Sequence, residues 1–180
     1  MGATTIRLMT VEEFRKLPED SGPVYHELRH GELLSVSQPK MKHCRIQRRL
    51  VALLSPLANT LGEVYAEFPF RALPEYELRV ADVAFVTKER STAVDPDDNL
   101  HGAPGLVIEI LSPSNTTAEM YDKEKLCLEN GAREFWVVDP AGRQLKVSTP
   151  DGHTITWHAG QEIPLPLFGN ARLRVDDIFA

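Results

Sequence analysis

The sequence predicts one mixed α/β domain, residues 1–180, in which a central sheet is flanked by helices. Three observations predict it. Ile46, Leu50, Leu53, Leu54, Leu57 and Leu61 recur at the helical period. Two short apolar runs, 106–111 and 134–138, have the length of buried strands and enclose a helical stretch, 116–130. The order of elements is helix, hairpin, helix, strands, helix, strands, which suits a sheet with helices packed on it. A chain of 180 residues fits one such domain, and its 42% hydrophobic content is enough for a sizeable core.

Residues 1–22 form a predicted N-terminal helical arm. Thr10 and Glu13 have capping-box spacing, Val11, Phe14 and Leu17 recur at helical intervals, and Pro18 stops the turn. Val24 to Leu28 and Glu32 to Val36 read as two strands hinged near His30-Gly31. The long helix spans 40–61, with Pro56 expected to kink or split it and Gly62 to end it. Strands follow at 64–73 and 77–87, then a polar surface loop at 88–104. Its cluster Asp95-Pro96-Asp97-Asp98-Asn99 lacks the calcium-loop pattern with a closing Glu. After the strand at 106–111 and the turn Ser112-Pro113-Ser114, the helix at 116–130 is closed by Gly131. Beyond the strand at 134–138, residues 143–180 predict short strands at 144–148, 153–158 and 171–175.

No apolar stretch approaches the ~20 residues of a membrane span. Met1 to Thr10 lacks the apolar core of a secretory signal, so a soluble cytoplasmic protein without a membrane partner is expected. Cys44 and Cys127 form no CxxC or Cys/His ligand pattern and read as reduced, partly buried thiols. The net charge of -6 argues against a protein coated in positive charge, though a local patch can still hold phosphate.

His26-Glu27-Leu28-Arg29-His30 matches the HExxH pattern of zinc metalloproteases, whose chemistry needs a helix. On a helix the two imidazoles lie about 6 Å apart along the axis; on a strand they are separated by roughly 13 Å. The segment reads as a strand, so one zinc cannot take both.

Three residues each break the pattern around them. Glu109 is the single carboxylate in the run Leu106 to Leu111, where burial demands a cation, a donor or a shifted pKa. The plainer alternative is a buried pair with an arginine, or a rim position facing water. Asp82 lies in the apolar strand Arg79 to Val86, where alternation puts Val80, Asp82, Ala84 and Val86 on one face. Its alternative is a pair with Arg79 or a cap on a neighbour. Lys123 shares a helix stripe with Met120, Leu126 and Cys127 that faces the sheet. Its alternative is a pair with Glu119 at i,i+4, worth only tenths of a kcal/mol. Two embedded acids suit a hard divalent cation such as magnesium. Adding the lysine gives the parts of metal-assisted phosphodiester hydrolysis.

These residues fall within an ordered set of blocks. Tyr25-His26-Glu27-Leu28 with Gly31-Glu32, then His43, then Arg79 to Val86, resemble the Uma-two family of "putative restriction endonucleases" in the PD-(D/E)XK nuclease superfamily. The likeness continues through Val107 to Ser114 and Lys123, and ends at Gly131 with Glu134 to Pro140. It implies a restriction-endonuclease-like fold with a magnesium site, for which manganese can stand in. By that resemblance Asp82 and Glu109 are the metal-binding acids and the carbonyl of Ile110 a further ligand. Lys123 replaces the lysine usually found two residues after the second acid, where Leu111 stands, and Glu27 is an additional ligand or supporting group. Ala81 replaces the family's proline, Glu119 its aspartate and Cys127 its tyrosine.

Lys40, Lys42, His43, Arg45, Arg48 and Arg49 cluster at the start of the long helix and are the candidate nucleic-acid contacts. The alternative is a solvated helix face. The leading expectation is a magnesium-dependent endonuclease acting on DNA, and the resemblance implies a homodimer. A non-catalytic nucleic-acid- or protein-binding module retaining the fold is the second class. A glycosidase using Asp82 and Glu109 is the third, for which Lys123 is superfluous and aromatic residues are few.

Overall fold

The computed structural model describes residues 7–18 and 24–180. Of the predicted arm over 1–22, residues 1–6 and 19–22 lie outside the described residues. Its remainder holds α1 (Val11–Phe14), closed by the predicted Thr10–Glu13 capping box. The hairpin β1 (Val24–Arg29) and β2 (Glu32–Ser37) turns at His30 and Gly31, whose φ values of 51° and 75° are left-handed. The HExxH segment is therefore a strand and its turn, and the zinc reading fails on geometry as anticipated.

Helix α2 (Met41–Ala58) buries Ile46, Gln47, Leu50 and Leu54. Pro56 stays within its last turns without splitting it, and the helix ends at Ala58 rather than 61. Gly62 does not close it but opens β3 (Gly62–Arg71). A Cβ there would lie 2.1 Å from the Val86 carbonyl oxygen, so close pairing with β4 (Arg79–Thr87) requires glycine. The loop expected over 88–104 instead contains α3 (Lys88–Ala93), capped by Thr87, and β5 (Leu100–His101), which pairs in parallel with β3. The helix is polar and buries no residue, so it carries no apolar periodicity to read. Asp98 is not merely solvated, because its carboxylate joins Arg15, Arg71 and His101.

Next come β6 (Leu106–Ile110), buried along its whole length, α4 (Thr117–Glu129) and β7 (Glu134–Asp139). β6 and β7 are parallel, with α4 as their crossover. The chain continues with β8 (Gln144–Ser148), β9 (Thr154–His158), β10 (Glu162–Leu165), β11 (Ala171–Arg174) and α5 (Val175–Ile178). Among the described residues, seven strands form one mixed sheet in the order β5-β3-β4-β6-β7-β8-β9. On one face, α2 and α5 pack with Phe85, Ile108, Trp136 and Leu173. On the other, α4 packs through Leu126 and Cys127 on Ala84, Val107 and Phe135. The mixed α/β fold with helices flanking a central sheet is thus the one expected. No helix among the described residues is long and apolar enough to cross a membrane.

Candidate functional site

The site forms where the sheet opens. β4 and β6 are antiparallel partners at Val83–Ile108, Ala84–Val107 and Phe85–Leu106, and the ladder stops one residue short of Asp82 and Glu109. In place of the next rung, Asp82 Oδ2 accepts the Ile110 N–H at 2.6 Å. Alternation also breaks at this point. Ala81 lies in the same core cluster as Ala84 and Val86, so Asp82 does not share their face as the simple period implies. β3 shows the same break between Tyr65 and Phe68, centred on Glu67, whose φ of 49° is left-handed. Glu67 and Asp82 oppose one another across the two strands, and both carboxylates reach the start of α2.

Glu109 keeps its alternation and points with Val107 toward α4. Lys123, on the stripe with Leu126 and Cys127, comes down to meet it. Lys123 Nζ lies 2.8 Å from Glu109 Oε2 and 3.8 Å from Glu27 Oε1, and donates to the Val80 carbonyl at 2.7 Å. The alternative pairing with Glu119 does not form. That carboxylate accepts the Thr116 N–H in a capping box and binds Arg29. Burial works to lower the Lys123 ammonium, but Glu109, Glu27 and Asp82 outweigh it and raise it, so the lysine stays charged. Burial raises the Glu109 carboxyl, Lys123 pulls it back, and Asp82 and Glu27 push it further up. Glu109 is 6% exposed, and among the described residues its Oε1 has no hydrogen-bond partner.

Glu27 is 2% exposed, with Oε1 accepting the Val80 N–H and Oε2 the Arg29 Nε, each at 2.9 Å. Burial opposes its ionisation, yet Lys123, the Val80 N–H and Arg29 together hold its pKa below the usual carboxylate value. Both its oxygens are committed, and the side chain braces Lys123 and the start of β4.

The basic residues of α2 divide. Lys40, Arg45, Arg48 and Arg49 are exposed, although Arg49 Nε also donates to the Asp177 carbonyl. Lys42 is exposed and reaches the Pro140 carbonyl. His43 turns inward instead, with Nε2 3.1 Å from Asp82 Oδ1. Burial works to lower this imidazole, but Asp82, Glu67 and Glu109 outweigh it and raise it. One turn later, Gln47 donates through Nε2 to Glu67 and to the Asp82 carbonyl oxygen.

Glu67 and Gln47 escaped sequence reasoning, although each left a signal. Gln47 interrupts the apolar stripe of α2, and Glu67 is an acid between aromatic residues of a strand. Cys127 is buried, which pushes its thiol up to about 12 and makes it a packing residue. A cleft lined by Tyr65, Phe68, Val94 and Leu100 contains none of the site's acids. Buried charge, rather than concavity, marks the site.

Embedded acids at an opening in a mixed sheet, with a buried lysine from the crossover helix, define a protein of the restriction-endonuclease-like class. The chain belongs to the Uma2 family, described as "putative restriction endonuclease", whose profile matches residues 11–176. Its fold is similar to that of a "putative nuclease belonging to DUF820" from Anabaena variabilis. That match has a TM-score of 0.80 and 23% identity, and covers 95% of this chain and 97% of the other. No curated protein sequence matches the chain.

Proposed function

We propose that this protein is a divalent-metal-dependent endonuclease that hydrolyses phosphodiester bonds of DNA. The observation that carries this reading is the charged Lys123 ammonium, buried against Glu109, with Asp82 near enough to act electrostatically on both. The donor set fits a hard cation. Carboxylates outnumber the cations around them, and Glu109 Oε1 is buried without a hydrogen-bond partner among the described residues, a costly arrangement that an ion relieves. Asp82, Glu109 and the Ile110 carbonyl would hold magnesium or manganese. In a strand, a residue's N–H and C=O point to the same side. Because the Ile110 N–H meets Asp82, its carbonyl faces the same acid. When bound, the ion polarises the phosphodiester and makes a water more acidic.

The protein's own groups do the rest. Lys123 is a fixed cation in a water-poor site, where it offsets negative charge developing on the phosphate. Its proton is held by Glu109 and the Val80 carbonyl, so it acts as a charge and a donor rather than as a base. Glu27 and Arg29 keep it in place. The exposed Lys40, Arg45 and Arg48 offer salt-sensitive phosphate contacts without base specificity. Two copies acting together would cut both strands, and a cytoplasmic setting suits the two unpaired cysteines.

The test is plasmid cleavage with magnesium or manganese by the wild type, Glu109→Gln and Lys123→Gln. Metal-dependent cutting should fall by about 10²-fold or more in each variant. Undiminished cutting in both variants overturns these roles. Metal binding without cleavage of any nucleic acid favours a binding module that keeps the fold.

A further inference from the structure

We infer that His43, Glu67 and Asp82 form a second divalent-cation site, selective for a first-row transition ion over magnesium. One ligand atom from each lies within 4.8 Å of the others. The three come from α2, β3 and β4, so the fold, and not one flexible loop, brings them together.

An ion pair alone does not account for His43. Its side chain is 13% exposed, and both ring nitrogens are buried without a hydrogen-bond partner among the described residues. Nε2 lies 3.1 Å from Asp82 Oδ1 but lacks the alignment of a hydrogen bond. Adjacent ligands about 2.1 Å from one ion are themselves about 3 Å apart, so this separation lets both atoms share a cation without rearrangement. Nε2 is met only by the misaligned Asp82 contact and Nδ1 is buried with no hydrogen-bond partner among the described residues, a cost in free energy that coordination recovers.

The partners are held in position. Gln47 donates to Glu67 and to the Asp82 backbone, tying two of the three elements to α2. Glu67 is exposed, which leaves an entry route for the ion. One imidazole and two carboxylates make a mixed nitrogen and oxygen set. Such a set suits manganese, zinc or iron, whereas magnesium favours oxygen alone. The site shares only Asp82 with the proposed catalytic ion, and metal binding there does not require the protein to be a nuclease.

The experiment is Mn2+ titration of metal-free protein followed by electron paramagnetic resonance, with pulsed detection of nitrogen coupling. Wild type should bind two Mn2+ ions. Glu109→Gln should retain one, and that ion should show nitrogen coupling from a coordinated imidazole despite excess Mg2+. His43→Ala should also retain one, without nitrogen coupling. Glu67→Gln, at an exposed position, should weaken the nitrogen-coupled ion by about 10-fold or more and serves if His43→Ala does not fold. Absence of nitrogen coupling in wild type and Glu109→Gln overturns the proposal, as does full stoichiometry in folded His43→Ala. DNA left uncut while the nitrogen signal is present refutes the nuclease and leaves this site standing. Cleavage without the signal does the reverse.

Discussion

Replacing Arg79 by methionine removes a cation that three elements share. The guanidinium is 1% exposed and contacts Glu77, itself 0% exposed, at 2.6 Å, and Asp122 of α4 at 2.9 Å. The other Glu77 oxygen accepts the His30 N–H at 2.7 Å, and His30 Nε2 lies 2.8 Å from Asp122. The network therefore joins the β1–β2 turn, β4 and the segment of α4 next to Lys123. Methionine preserves bulk but strips the guanidinium from one oxygen of the buried Glu77, leaving it only the exposed His30, whose Nδ1 lies 2.8 Å from the other oxygen. Losing one member of such a pair costs about 3–5 kcal/mol, a large part of the ~5–15 kcal/mol that stabilises a typical domain. For a chain of this size that corresponds to a Tm lower by about 6–20 °C. The assays are urea unfolding and thermal melting at pH 7. The double variant Arg79→Met/Glu77→Gln should recover part of the loss, because the stranded charge is gone. A single variant within about 1 kcal/mol of wild type would refute the reasoning, as would a double variant less stable than Arg79→Met.

Two further perturbations test electrostatics away from the site. Burial raises the Glu134 carboxyl despite the 2.8 Å bond from Trp136 Nε1. A raised acid favours the folded state at low pH and loses that contribution as pH rises from its unfolded value, ~4.3, through its folded one. Glu134→Gln should therefore raise Tm at pH 7 and leave it unchanged at pH 4; an equal fall at both values would show that the hydrogen bond, and not the charge, decides. Asp98 behaves oppositely, since Arg15, the Asn99 N–H, His101 and Arg71 hold its carboxyl well below the usual range. Its contribution is present above the unfolded value, ~3.9, and is lost as pH falls through the folded one. Asp98→Asn should lower Tm at pH 7, and the gap should close in strong acid; identical melting at pH 7 would contradict this.

Elements with a strong period were legible from the residues. The stripe on α2, the uniform burial of β6 and the Thr10–Glu13 cap of α1 are local features with direct sequence signatures. α3 was hidden because none of its residues is buried, and β10 because two of its four residues are exposed and Pro164 interrupts it. Of the site, Asp82, Glu109 and Lys123 stand out because each violates an apolar pattern. The surroundings of Asp82 do not, since alternation fails there: the paired break at Glu67 and Asp82 depends on pairing between strands, which no single strand displays. His43 was grouped with the basic residues by proximity in sequence, whereas the helix turns it inward beside Gln47. The paired oxygens of Glu27 likewise belong to tertiary structure, because one partner, Val80, lies 53 residues away.

The bond from Ile110 to Asp82 divides that carboxylate between two tasks. Oδ2 is occupied as a rung of the sheet, and Oδ1 alone faces His43. Asparagine at this position can keep the rung with its carbonyl and turn an amide N–H2 toward the imidazole. The sheet would then register no change while the acceptor on the open side became a donor. Alanine would remove both at once, so comparing Asp82→Asn with Asp82→Ala separates what this residue does as architecture from what it does as a ligand.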